Sequence, residues 1–98
     1  MSRAYVIAEV DVTDAQAYEQ YKVLSTQAIA EAGGEVLVRG GPVHAVEGGW
    51  TPARLVVIAF SSVEHARRFY DGERYRQARQ ARAQAAHMRL VIAEGVGP

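Results

Sequence analysis

Late in the chain, Tyr75, Arg79 and Arg82 stand at i, i+4 and i+7. On a helix that spacing gathers them on one stripe. An arginine fork placed there grips a carboxylate or phosphate through paired N–H donors, and a neighbouring tyrosine hydroxyl adds a further hydrogen bond. Arg82, with Arg79 in support, is therefore a candidate anion-binding group. Its counterpart is either a small ligand or a protein carboxylate such as Glu47. Tyr18, Tyr21, Arg39 and Glu47 carry matching chemistry earlier in the chain. Tyrosine joins an apolar body to a polar tip and suits a cleft between helices and a sheet. Together these residues describe a polar pocket for a small anionic molecule, without naming a reaction. The competing roles are plain: a core anchor with a satisfied hydroxyl for each tyrosine, and a solvated helix face for the arginines.

Other chemistries lack their residues. The chain has no cysteine, which removes disulfides, iron–sulfur clusters and thiol nucleophiles. The three histidines, His44, His65 and His87, show no i, i+4 pairing and no traceable carboxylate partner, so neither metal nor cofactor is expected. Ser25, Ser61 and Ser62 lack the elbow of a hydrolase nucleophile.

The segment "VRGGPVHAVEGGW", residues 38–50, carries two Gly-Gly pairs. Phosphate-cradling loops open into a helix, whose N-terminus faces the anion. Neither pair precedes a helical pattern, so the pairs read as punctuation in a sheet. Gly40–Gly41–Pro42 reads as a kink or bulge inside one long second strand, with Gly41 at positive φ. Gly48–Gly49 opens the connection to the third strand. Arg39, His44 and Glu47 would then lie on or beside a bent strand.

These candidates need elements to position them. Residues 4–12, "AYVIAEVDV", read as a strand with Val6, Ala8, Val10 and Val12 on one face and Tyr5, Ile7, Glu9 and Asp11 on the other. A helix follows, opened by a Thr13–Gln16 capping box and stopped by Gly33 or Gly34. Its inward stripe is Ala17, Tyr21, Leu24, Ala28 and Ala32, with Tyr18 and Ile29 beside it. "RLVVIAF", residues 54–60, is apolar on both faces and reads as a central strand covered on both sides. A second capping box, Ser61 and Glu64, opens a helix broken at Gly72, and "ERYRQARQARAQAAH" continues it to residue 87. "MRLVIAEG", residues 88–95, is the last strand. The order β-α-β-β-α-β gives a ferredoxin-like α+β sandwich: four antiparallel strands with helices on one face.

Ninety-eight residues make one domain, 1–98. Formal charge is zero but uneven. Residues 1–61 set four cations against seven acids, a net of −3; residues 62–98 set seven arginines against four acids, a net of +3. Overall neutrality argues against a nucleic-acid partner, and the basic late stretch reads as a solvated helix face. No stretch has the length of a membrane span or the uninterrupted core of a secretory signal, so a cytoplasmic protein is expected.

The succession "VTDAQAYEQY", "GGEVLVRGG", "VEGGW", "RLVVIAF" and "YDGERYRQARQAR" resembles the DUF1330 family, within the dimeric α/β-barrel superfamily. The likeness runs from about residue 4 to residue 95. It matches the family's recurrent positions at Asp14, Tyr18, Tyr21, Gly34, Arg39 and Gly40, then at Glu47, Gly48, Trp50, Arg54 and Phe60, and last at Tyr70, Tyr75 and Arg82. Two places depart from it. Phe60–Ser61 stands where the family tends to have Phe-Pro, and Gly72–Glu73–Arg74 where it tends to have Ser-Pro-Glu. The resemblance implies a ferredoxin-like subunit whose sheet packs on the sheet of a second copy. It implies no reaction, because the superfamily spans cofactor-free monooxygenases, isomerases and haem enzymes. Two functions stand at this point. One is a homodimer that binds or transforms a small anionic molecule in the cleft between helices and sheet. The other is a non-catalytic dimerisation domain.

Overall fold

Period-two alternation along the first strand organises the molecule. The computed structural model describes residues 2–97. Strand β1 spans Ala4–Val12, and its even-numbered Ala4, Val6, Ala8 and Val10 are buried while the odd-numbered residues face the other way. The third strand, apolar on both faces, is β3, Arg54–Phe60; the second and fourth strands are β2, Glu35–Arg39, and β4, Ala86–Glu94. The sheet order is β2-β3-β1-β4, all antiparallel. β3 is central, as its apolar composition predicts. Three helices, α1 at Ala15–Glu31, α2 at Val63–Asp71 and α3 at Glu73–Arg82, lie on the face of the even-numbered β1 residues. This is the ferredoxin-like α+β arrangement.

The buried layer is built from Val6, Val10, Ile58 and Phe60 of the sheet and Tyr21, Ile29, Phe69 and Tyr75 of the helices. Val6 and Val10 are 1% and 0% exposed, and burial of such side chains contributes about 1.5–3 kcal/mol each. Ala66 of α2, Ala78 of α3 and Ala85 after α3 are fully buried; α2 packs against the sheet, whereas α3 packs chiefly against α1. On the opposite face Ile7 stands between Val57 and Val91, with Leu55 and Ala93 nearby, and no helix covers them. The expectation that β3 is covered on both sides therefore does not hold within one chain.

Helix ends follow local chemistry, one residue away from the expected caps. Asp14, not Thr13, caps α1, its carboxylate accepting the Ala17 N–H at 3.1 Å. The shift has a tertiary cause: the N–H groups of Thr13 and Asp14 both donate to the Ala85 carbonyl, at 2.8 and 3.1 Å, which holds Thr13 outside the helix. Ser62, not Ser61, caps α2 by accepting the His65 N–H, while the Ser61 hydroxyl sits 2.9 Å from His65 Nδ1. α1 stops as expected at its glycines. Gly33 has φ 73° and donates to Ala30, and Gly34 donates to Ile29, the paired bonds of a Schellman motif.

Two strand and helix limits differ from the sequence pattern. The second strand ends at Arg39 and does not resume after Pro42; residues 41–53 run without a ladder. Gly40, not Gly41, takes the positive φ (71°), and its N–H to Leu55 at 2.9 Å is the last bond to β3. The bulge falls earlier, at Leu37, where the register shifts between Val36 and Val38. The last helix stops at Arg82 rather than running to residue 87, because Ala85 is drawn into the core and Ala86 already pairs with Val12. Ala, Arg and Gln favour helix locally, but burial of this turn and the sheet pairing override that preference.

Two comparisons check this account. Gly40→Ala is expected to lower unfolding free energy by about 1–2 kcal/mol, the usual cost of a Cβ in the left-handed region, whereas Gly41→Ala, in open space, stays within about 0.5 kcal/mol. Asp14→Ala is expected to cost about 1 kcal/mol and Thr13→Ala much less. Urea denaturation of the four variants measures both pairs; equal effects within either pair would contradict the assigned turn or cap.

Candidate functional site

α1 packs chiefly against α3. Between α1 and the sheet lies a cavity of about 400 Å³. That size falls within the range of small-molecule sites. Its apolar wall comes from both layers: Val6, Ile58 and Leu90 from the strands, Ile29 and Phe69 from the helices. Its polar lining comes from Tyr18, Lys22, Ser25 and Thr26 along one flank of α1 and from Arg39 and Arg54 on the two neighbouring strands. Among the described residues, no Asp or Glu lines it. The charged lining is thus wholly cationic.

Arg54 is the unusual member. It opens β3 and lies in register with Val10 on the helix-facing side of the sheet. Its guanidinium stands 5.8 Å from the ring of Tyr18, a cation–π distance. Gly40 passes so close that a Cβ there would overlap the guanidinium. The Nε of Arg54 is buried and has no hydrogen-bond partner among the described residues. A buried donor without an acceptor is costly and calls for an explanation.

At the α3 side of the cavity, the hydroxyls of Tyr21 and Tyr75 lie 2.7 Å apart. Tyr75 also donates weakly to Met88 Sδ, at 3.9 Å. Burial, together with the neighbouring Tyr75, pushes the Tyr21 hydroxyl far above its ordinary range. Burial also raises Tyr18, with the charge of Arg54 opposing it. Tyr21 is therefore a neutral donor and acceptor, not a phenolate base, at any physiological pH.

The residues proposed from sequence separate into three groups. Tyr18, Tyr21, Tyr75 and Arg39 meet around this cavity. Arg82 and Arg79 stand outside its lining. Arg82 lies 5.8 Å from the Tyr21 ring, has a buried Nε without a partner among the described residues, and borders a separate groove with Glu9, Asp11 and His87. Arg79 lies over Tyr70 at 4.3 Å. Glu47 is exposed in the 41–53 segment and makes no ion pair with either arginine among the described residues. Arg54, Lys22, Ser25, Thr26 and Met88 also line the cavity, outside the stripe of Tyr75, Arg79 and Arg82. Arg54 did carry a signal: it is a charge at the head of an otherwise apolar strand, at the same parity as Val56 and Ile58. Lys22 and Ser25 share one flank of α1 with Tyr18 at i+4 and i+7.

The fold recurs in solved structures of low sequence identity. RPA0582, a protein of unknown function from Rhodopseudomonas palustris, is 19% identical, with a TM-score of 0.77 over 99% of this chain and 85% of that one. SnoaB, a cofactor-independent oxygenase from Streptomyces nogalater, is 9% identical, with a TM-score of 0.67 over 100% and 97%. A dimeric protein of unknown function and ferredoxin-like fold from Bacteroides fragilis is 12% identical, with a TM-score of 0.57 over 94% and 95%. No curated protein matches the chain. Residues 3–96, nearly the whole sequence, match the family model described as Domain of unknown function (DUF1330), and the chain belongs to that family.

Proposed function

We propose that this protein binds a small anionic molecule with an apolar body in the cavity between α1 and the sheet. The observation that carries the proposal is Arg54: a cation whose Nε is buried and unpartnered, on the wall of a cavity without acids. A ligand carboxylate would supply the missing acceptor and a counter-charge together. Arg39 and Lys22 add positive potential, although Lys22 already pairs with Glu19 at 2.8 Å. The apolar wall would take the rest of the molecule.

We further propose that the active form is a homodimer assembled through the uncovered sheet face. Ile7, Leu55, Val57 and Val91 form an apolar centre there, and Val91 is 58% exposed. An isologous contact with the same face of a second copy would bury it. Dimerisation alone would satisfy the alternative role of a non-catalytic assembly domain; the acid-free cavity favours a ligand-binding role in addition.

Titration calorimetry and thermal shift with arylalkanoic acids such as phenylacetate test the first proposal. Binding is expected to raise the melting temperature. Arg54→Met, which keeps the apolar stem, is expected to weaken binding by at least about tenfold, the scale of a lost charge-assisted hydrogen bond. Unchanged affinity in that variant contradicts the assigned role. Light scattering after size exclusion tests the second proposal: the wild type is expected to run as a dimer at micromolar concentration, and Val57→Asp as a monomer with native-like circular dichroism. A monomeric wild type rules it out.

A further inference from the structure

The hydroxyl pair at the α3 side of the cavity narrows the ligand class, on the assumption that the anion-binding role of Arg54 is correct. Tyr21 and Tyr75 are 7% and 2% exposed, and Met88 lines the same cavity. Two hydroxyls bring two protons. One is used in the 2.7 Å contact between them. The other goes to Met88 Sδ at 3.9 Å, and a thioether is a weak acceptor. A buried donor is thus spent on a poor partner, beside the Phe69 ring that lies 4.6 Å from the ring of Tyr75. Hydroxyl protons rotate freely, so the pair can reverse its direction: Tyr75 donates to Tyr21, and Tyr21 donates onward to a new acceptor.

The sheet sets the spacing between this pair and the cation. Val10 on β1 pairs with Arg54 on one side and with Met88 on the other. The backbones of Arg54 and Met88 are therefore two strand spacings apart, about 10 Å. We infer that the ligand is an amphipathic carboxylate bearing a second, neutral oxygen acceptor at its far end, a ketone or ether held by the Tyr21–Tyr75 pair while Arg54 holds the carboxylate. The far group is an acceptor rather than a cation, because no carboxylate lines the cavity to balance one.

Matched probes test this. 4-Acetylbenzoate, 4-acetylphenylacetate and 3-(4-acetylphenyl)propanoate are each paired with the 4-ethyl analogue, which has nearly the same shape without the carbonyl oxygen. Dissociation constants are measured by calorimetry for the wild type, Tyr21→Phe, Tyr75→Phe and Arg54→Met. In the wild type, at least one ketone is expected to bind about 3- to 10-fold more tightly than its ethyl partner, the scale of one net hydrogen bond. That preference is expected to fall to about 1 in Tyr21→Phe or Tyr75→Phe. The ratio within a pair is insensitive to any general loss of stability, and the wild-type ratios stand even if a Phe variant fails to fold. Equal binding within every wild-type pair overturns the inference, as does a preference that survives both Phe variants. If no probe binds, or Arg54→Met binds as the wild type does, the anion-binding proposal fails first and the inference falls with it.

Discussion

The register of β1 is the constraint on which the remainder of the molecule depends. β1 is hydrogen-bonded on both sides, to β3 and to β4, and its alternation separates two faces with different tasks. A slip of one residue would exchange them completely. In the observed register, Arg54 and Met88 flank Val10 on the helix-facing side. On the reverse side Glu9 meets Arg89 and accepts a hydrogen bond from Trp50 at 3.3 Å. One strand therefore decides that Arg54, with its unpartnered Nε, lines the cavity and that Glu9 is kept out of the lining.

Charge is partitioned by the same geometry. The acids find cations at the periphery: Glu35 with Arg3, Glu31 with Arg74, Glu9 with Arg89. These pairs lie at the surface, Glu9 being the one half-buried member, and surface pairs contribute little to stability. Their effect is on the distribution of potential, since each neutralises an acid away from the cavity. The hydrogen bonds from Arg89 and Trp50 hold the Glu9 carboxyl below its ordinary range, so it stays ionised and directed at its partners on the outer face. What remains unbalanced at the cavity is positive.

Much of the fold is legible in the sequence where burial repeats at short range. β1 has the limits that its alternation marks, β3 those of its continuous apolar run, and the Schellman stop of α1 is written in its two glycines. The failures share a cause: each is decided by a distant partner. Thr13 lost its capping role to Asp14 because the Ala85 carbonyl holds its backbone. The last helix ends early because Ala86 belongs opposite Val12. Tyr18, Tyr21, Tyr75 and Arg39 were recognisable because a large polar-tipped or charged side chain among small apolar ones is a local signal. The place of Arg54 depends on pairing across 44 residues, and that of Glu47 on where the second strand stops. Parity puts Arg54 on the face of Val56 and Ile58, but its neighbours across the sheet, like the place of Glu47, cannot be read from spacing.

The β1–β4 ladder joins Ala4 to Glu94, and the Gly95 N–H closes on the Arg3 carbonyl at 2.7 Å. During synthesis β1 must therefore wait, unpaired on one side, until β4 leaves the ribosome. Such long-range pairing makes folding slow relative to helical proteins of similar size, and it exposes an apolar strand meanwhile. The same closure places residues 3 and 95 within one hydrogen bond of each other. A short linker between them, with new ends opened in the exposed 41–51 segment, would make β1 and β4 neighbours in sequence as well as in space, and would convert the long-range pairing into a local hairpin.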